Sequence, residues 1–358
     1  MTRTLSLAAA GGLLLLGLIS FVWWAASSPL PQHELERQTT YAPSSASTEQ
    51  DTFRVVSYNL GPLMGTSGAG SSADSVSTPP LDRARALLQE ARPDFVALQE
   101  VDLGDSGSTL DAIATQLGAA TSIQAVRRSD RYVPSLFSRL GGGPVVSGQA
   151  FLSRFPIRRH TRRAIDRDSS SVWSTLFGPQ PVVQVAVVGI GGWPLVVMNV
   201  NLDAETAAAR ERQARAVQRL YGRISGRGFP VLLLGSIHRA SSSDRPATLS
   251  GDETMATLLR GTDLQPAIHA ESALVTGRSV ATYPAHAPTR KVDHIFYRPR
   301  LVVPIDAKIR CGDAPASGHC AIVFSFLLPR PVDRLPDERI PDDRLPSLDS
   351  LLGPSPAR

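Results

Sequence analysis

Several apolar, β-branched runs in this chain carry a polar or titratable side chain at one end. These are Asn59, Gln99 with Glu100, Asn199 with Asn201, Ser236 with His238, and Asp293 with His294. Singly, such residues have ordinary structural roles. Asn and Asp cap turns, an isolated His is usually satisfied by its surroundings, and Glu100 could pair with an arginine. Repeated at the ends of so many runs, they fit the common way of building a site, in which strand ends converge on one pocket. No CxxC pair or His/Cys cluster occurs, so zinc is not indicated.

The run VLLLGSIHRASSS (231–243) poses the question most sharply. It opens as a buried strand, turns at Gly235 and ends as a polar loop. In α/β proteins that turn is a usual place for a metal- or phosphate-handling group, yet no carboxylate stands there.

The elements that must position these residues are legible. Strands are expected at 53–59, 94–100, 182–190, 194–202, 230–235, 291–297 and 320–328. Helical spacing marks 81–91 and a long amphipathic helix over 205–224, ending near Gly226. The strands 182–190 and 194–202 follow each other across Gly191–Gly192, which implies an antiparallel pair. Mixed sheets covered by helices are expected, rather than a purely parallel doubly wound sheet.

Five of these segments, in order, resemble the endonuclease/exonuclease/phosphatase superfamily, which also includes sphingomyelinases and inositol phosphatases. They are FRVVSYNL, PDFVALQEV, SGQAFLSRFPI, TYPAHAPTRKVDHIFY and SGHCAI. The resemblance spans 52–328. It implies an α/β fold of the deoxyribonuclease I type, a four-layer sandwich of two mixed, largely antiparallel sheets flanked by helices.

Residue by residue, the resemblance implies a metal site of Asn59 and Glu100 and a catalytic dyad of Asp293 and His319. Asp293 would hold and orient the imidazole. Asn201 stands where many members place a phosphate-contacting histidine, and its amide can donate but carries no charge. Ser236 and His238 replace the Asp and Asn of the family's Gly-Asp-x-Asn turn, and Gly318 replaces the Asp before the catalytic His. A serine hydroxyl can hydrogen-bond water but is far too weak a base to activate it. Glu100 alone would hold Mg²⁺ or Mn²⁺ weakly, with waters and substrate phosphate completing the shell.

The implied function is therefore a metal-dependent phosphoesterase with impaired or absent hydrolysis. Its alternatives are a catalytically dead module for a phosphorylated ligand or partner, and a reworked phosphodiesterase using His238. Nucleic acid, a lipid headgroup or a small phosphoester would each suit the fold, which does not choose among them.

The rest of the chain bears on location. After Arg3, residues 5–27 carry no charge, long enough for a membrane-spanning helix, and Trp23 and Trp24 lie where an interfacial aromatic belt would sit. Arg3 before the segment and Glu34 after it place the bulk of the chain outside the cytoplasm. Residues 1–28 are thus expected as a signal anchor or cleaved signal peptide, 29–51 as a flexible linker and 52–328 as the domain. Residues 329–358, with a proline at every fifth position in VDRLPDERIPDDRLPS, are expected as a disordered tail on a monomer. Cys311 and Cys320 suit export as a disulfide pair, though two separate buried thiols would also fit. The formal charge of +5 comes with no cluster of basic and aromatic residues, so no dedicated nucleic-acid surface is indicated.

Overall fold

The computed structural model describes residues 11–21, 35–41, 50–61, 79–103, 108–129, 146–166, 180–190, 193–202, 206–237, 253–269, 279–329 and 348. Two sheets form its centre. The first has the order β1 (Glu36–Thr40), β4 (Thr121–Ser129), β5 (Val146–Ser153), β3 (Phe95–Asp102), β2 (Thr52–Asn59), β13 (Ala321–Leu327), β12 (Val303–Arg310). The second runs β10 (Gln265–Pro266), β11 (Asp293–Tyr297), β9 (Val231–Ser236), β8 (Trp193–Asn201), β7 (Val182–Ile190), β6 (Ile157–Ala164). Only β2–β3 and β8–β9 pair in parallel; the other pairs are antiparallel.

Three apolar clusters hold the layers. One lies between the sheets around Phe53, Phe95, Phe151, Phe155 and Phe324. A second packs α1 (Pro80–Ala91) and α2 (Ser108–Leu117) on the first sheet through Leu88, Leu98, Leu110 and Ile113. The third packs α3 (Ala207–Ser225) and α4 (Thr254–Leu259) on the second through Val217, Tyr221, Leu233 and Leu258. The result is the expected helix–sheet–sheet–helix sandwich. Thr206 caps α3, its hydroxyl accepting from Ala209 N–H, which starts the helix within two residues of the predicted position.

The strands' two-residue period sets up the site. On β2 the inward series reads Phe53, Val55, Ser57, Asn59; on β3 it is Phe95, Ala97, Gln99. The partner sheet repeats the change with Leu195, Val197, Asn199, Asn201 on β8 and Leu232, Leu234, Ser236 on β9. The inter-sheet layer therefore turns from apolar to polar along one direction, and Asn59, Gln99, Asn199, Asn201, Ser236 and Asp293 lie at its polar end, whereas His294 faces the other way and stacks on Phe296.

Part of the expected linker 29–51 is a strand. β1 pairs with β4 from Glu36↔Ala125 to Thr40↔Thr121. Glu36 also meets His160 of β6 (Oε1 to Nδ1, 2.5 Å), and Tyr41 donates to Asp111 at 2.6 Å. The sequence ERQTT hid this because an edge strand needs no apolar alternation. Strands β4, β5, β6, β10 and β12 likewise lie outside the strands expected from the sequence.

Residues 11–21 are helical, and among the described residues no helix is long and apolar enough to cross a membrane. His238 and the tail lie outside the described residues, apart from Pro329 and Leu348. Leu348 packs against the cluster under α3 and α4.

Candidate active site

Glu100 sits in a β-bulge. Leu98 pairs with Ala150 and Val101 with Gly148, so Gln99 and Glu100 together oppose Gln149. Its backbone takes φ of 54°, a left-handed conformation that costs a non-glycine residue about 1–2 kcal/mol and breaks the strand's alternation. Such strain persists where surrounding structure over-determines it, and functional sites are common examples. The Glu100 carboxylate accepts two amide donors on Oε1, from Asn59 Nδ2 at 3.2 Å and Asn201 Nδ2 at 3.1 Å. Asn59 Oδ1 in turn accepts from Gly61 N–H at 2.8 Å.

Beneath this group runs a buried amide ladder. Gln99 Nε2 donates to Asn199 Oδ1 at 2.8 Å, and Asn199 Nδ2 donates to Gln184 Oε1 at 3.0 Å and to the Leu98 and Ala150 carbonyls. Gln184 Nε2 continues to the Ile123 carbonyl. The ladder ties the two sheets together and fixes the strands that bear Glu100 and Asn201. Gln184, a lone polar residue in VVQVAVVGI, is the one signal of this ladder in the sequence beyond the strand-end amides.

Ser236 and Asp293 face each other across β9 and β11, paired in register. The Ser236 hydroxyl donates to Asp293 Oδ1 at 2.9 Å. His319 Nδ1 lies 2.9 Å from Asp293 Oδ2 and 3.2 Å from Oδ1. All three are buried, and a carboxylate there only accepts, so Nδ1–H donates and fixes the ring. Thr282 Oγ1 accepts from the Val292 and Asp293 N–H groups. Gly235, just before Ser236, has φ of 137°, and a Cβ there would meet the Val200 carbonyl oxygen at 1.8 Å. Only glycine lets β8 and β9 close so tightly.

The His319 loop is held from both sides. Ser317 Oγ donates to the Asn59 carbonyl at 2.7 Å and accepts from His319 N–H at 3.1 Å. Cys311 and Cys320 form a disulfide. The Tyr283 ring packs on the His319 ring at 4.9 Å between centroids, and Arg290 lies over Tyr283 at 4.7 Å. Ser317, Tyr283 and Arg290 were not singled out in the sequence.

Strand ends so arranged unite Asn59, Glu100 and Asn201 in one group and Ser236, Asp293 and His319 in another, with Ser317 bridging from Asn59 to His319. A family model described as Endonuclease/Exonuclease/phosphatase family matches residues 70–314. The chain belongs to this family. Solved structures agree on the fold. An endonuclease/exonuclease/phosphatase from Beutenbergia cavernae superposes with a TM-score of 0.56 at 18% identity, over 78% of this chain and 72% of that one. One from Bacteroides vulgatus gives 0.53 at 14% identity, over 78% and 100%. The human Nocturnin catalytic domain with bound sulfate anion gives 0.52 at 15% identity, over 84% and 100%. No curated protein matches the sequence.

Members of the family are generally metal-dependent, so the donor set has to be tested. Among the described residues no three His, Cys, Asp or Glu side chains converge. Glu100 supplies one carboxylate, one oxygen of which is shared with two amide donors, and Asn59 supplies an amide oxygen. That set fits a Mg²⁺ or Mn²⁺ ion held weakly, with water and substrate phosphate as its remaining ligands.

Proposed function

We propose that this family member is a phosphoester-binding protein whose hydrolytic power is impaired or lost. The observation that carries this reading is the hydrogen bond from Ser236 to Asp293. At the position where the resemblance expects a water-activating carboxylate, the chain places a hydroxyl and turns its proton away onto the neighbouring acid. Gly318 leaves the second expected carboxylate absent as well.

The retained groups have definite roles in this reading. Asp293 fixes the His319 ring through Nδ1, which orients the imidazole toward a phosphoryl or leaving oxygen. Asn59 and Asn201 hold Glu100 and offer amide donors at the cleft. A cation held by Glu100 and Asn59 would neutralise phosphoryl charge. The step without an agent is deprotonation of the attacking water. Purified full-length chain, assayed on generic phosphodiester and phosphomonoester substrates with Mg²⁺, Mn²⁺ or chelator, is expected to turn over near background. Vigorous metal-dependent turnover would refute impairment.

We also infer that the domain works outside the cytoplasm, anchored or released. Arg3, the uncharged stretch 5–27 and Glu34 support that orientation, and so does a disulfide, which persists in oxidising compartments. A cytoplasm-dependent reporter fused after Arg358 is expected to stay silent. If the chain is anchored, its entry point matters. Glu36 pairs with Ala125, which pairs with Gln149, the residue opposite the Glu100 bulge, so the N-terminal segment joins the domain at the level of the cleft.

A further inference from the structure

Phosphate brings negative charge into any site that binds it, and this cleft has given up two carboxylates that would have helped a metal to meet that charge. A fixed cation one ring away from the dyad would serve instead. The hairpin TYPAHAPTRK (282–291) supplies one. Tyr283 N–H donates to the Arg290 carbonyl at 3.0 Å and Arg290 N–H returns to the Tyr283 carbonyl at 2.8 Å, so the two residues are locked side by side. The Arg290 guanidinium lies over the Tyr283 ring at 4.7 Å, and that ring packs on His319 at 4.9 Å. Arg290 is half-buried and, among the described residues, forms no ion pair with a carboxylate. An aromatic face holds a guanidinium without neutralising it, which keeps its donors for an anion.

Gly318 completes the arrangement. A Cβ there would lie 3.4 Å from Tyr283 Cε2, so the Tyr283 ring packs directly against position 318.

We propose that Arg290, aimed by Tyr283, is the phosphate-binding cation of this cleft and gives it metal-independent affinity for a phosphoester anion. The proposal rests on the reading of the cleft as a phosphoester site. It adds that arginine, in place of a tightly held metal, supplies the main positive charge.

The test uses the full-length chain in chelator, with inorganic phosphate and dimethyl phosphate as probes. Binding is followed by calorimetry and by the NMR signals of the His319 ring. Native protein is expected to bind both probes, with affinity falling as salt rises and with His319 signals shifting. Arg290→Gln is expected to weaken binding about tenfold or more, Arg290→Lys to retain part of it, and exposed Arg300→Gln to change nothing. Tyr283→Leu, which keeps an apolar contact but no aromatic face, should weaken binding less than Arg290→Gln. A folded Arg290→Gln that binds as native would overturn the proposal. So would native binding that appears only with Mg²⁺, an outcome that would leave the broader phosphoester reading standing. Failure of any phosphate probe to bind, with or without metal, would remove both.

Discussion

Asp293 is shared between two partners: Ser236 donates to its Oδ1 at 2.9 Å and His319 Nδ1 meets its Oδ2 at 2.9 Å. The serine therefore takes part in the dyad as a donor, and a carboxylate in its place would confront Asp293 directly. Ser236→Asp alone is expected to destabilise the fold by roughly 1–3 kcal/mol, since one of two buried, adjacent carboxylates must be held protonated. Such a group has a folded pKa above its unfolded value, so the folded state binds more protons and stability falls as pH rises. The deficit should be small near pH 4 and grow above it. Denaturant melts of native and variant chains across pH 4–8 check this; a pH-independent difference would contradict it.

The disulfide closes a short loop that contains His319, with Cys311 and Cys320 nine positions apart. Chain-entropy arguments give such a loop about 2–3 kcal/mol. Reduction, or Cys311→Ala with Cys320→Ala, should lower stability by that order. Because Ser317 lies inside the loop, amide exchange at 317–319 should quicken more than at β2. Unchanged exchange there would mean that Ser317 and the Thr282 carbonyl, which accepts from Cys320 N–H, hold the loop alone.

Lys291 offers a titration signature near the site. Burial pushes its ammonium down to about 8, although Nζ donates to the Ile268 carbonyl at 2.5 Å. A lysine depressed in the folded state binds fewer protons there than when unfolded, so its destabilising effect is full below pH 8 and is relieved as pH rises toward 10.5. The stability difference between native chain and Lys291→Met should shift in favour of native over that window, by up to about 3 kcal/mol. Tyr41, raised to about 12 by burial and its bond to Asp111, loses stability above pH 10 in both chains and cancels in the difference.

The sequence made much of this site legible because strand ends announce themselves. Asn59, Glu100, Asn201, Ser236 and Asp293 each follow or begin a run of buried apolar residues, and period-two alternation then sends the side chains of Asn59, Asn201, Ser236 and Asp293 between the sheets. Edge strand β1 was not legible, since its ERQTT has no apolar face and its order comes from β4, His160 and Tyr41. The Glu100 bulge was equally hidden, being a matter of pairing between β3 and β5 that no local pattern encodes. Tyr283 and Arg290 were not legible because their significance is a stack, Arg290 on Tyr283 and Tyr283 on His319, which lies 36 residues after Tyr283 in the chain.

The claim that missing carboxylates, rather than a lost scaffold, limit this site is tested most directly by restoring them. Ser236→Asp, His238→Asn and Gly318→Asp together should rebuild the family's constellation around Asn59, Glu100, Asp293 and His319. Because Tyr283 stands against Gly318, the combination should be made with native Tyr283 and with Tyr283→Ala. Single restorations should do little, as groups that act as a unit are strongly non-additive. The measurement is the single-turnover rate of a generic phosphodiester with saturating Mg²⁺. The expected result is a gain of about 10²-fold or more over the native chain, abolished by Glu100→Gln or His319→Ala. Vigorous Mg²⁺-dependent turnover by the native chain, or folded restored variants that remain silent, would contradict the account.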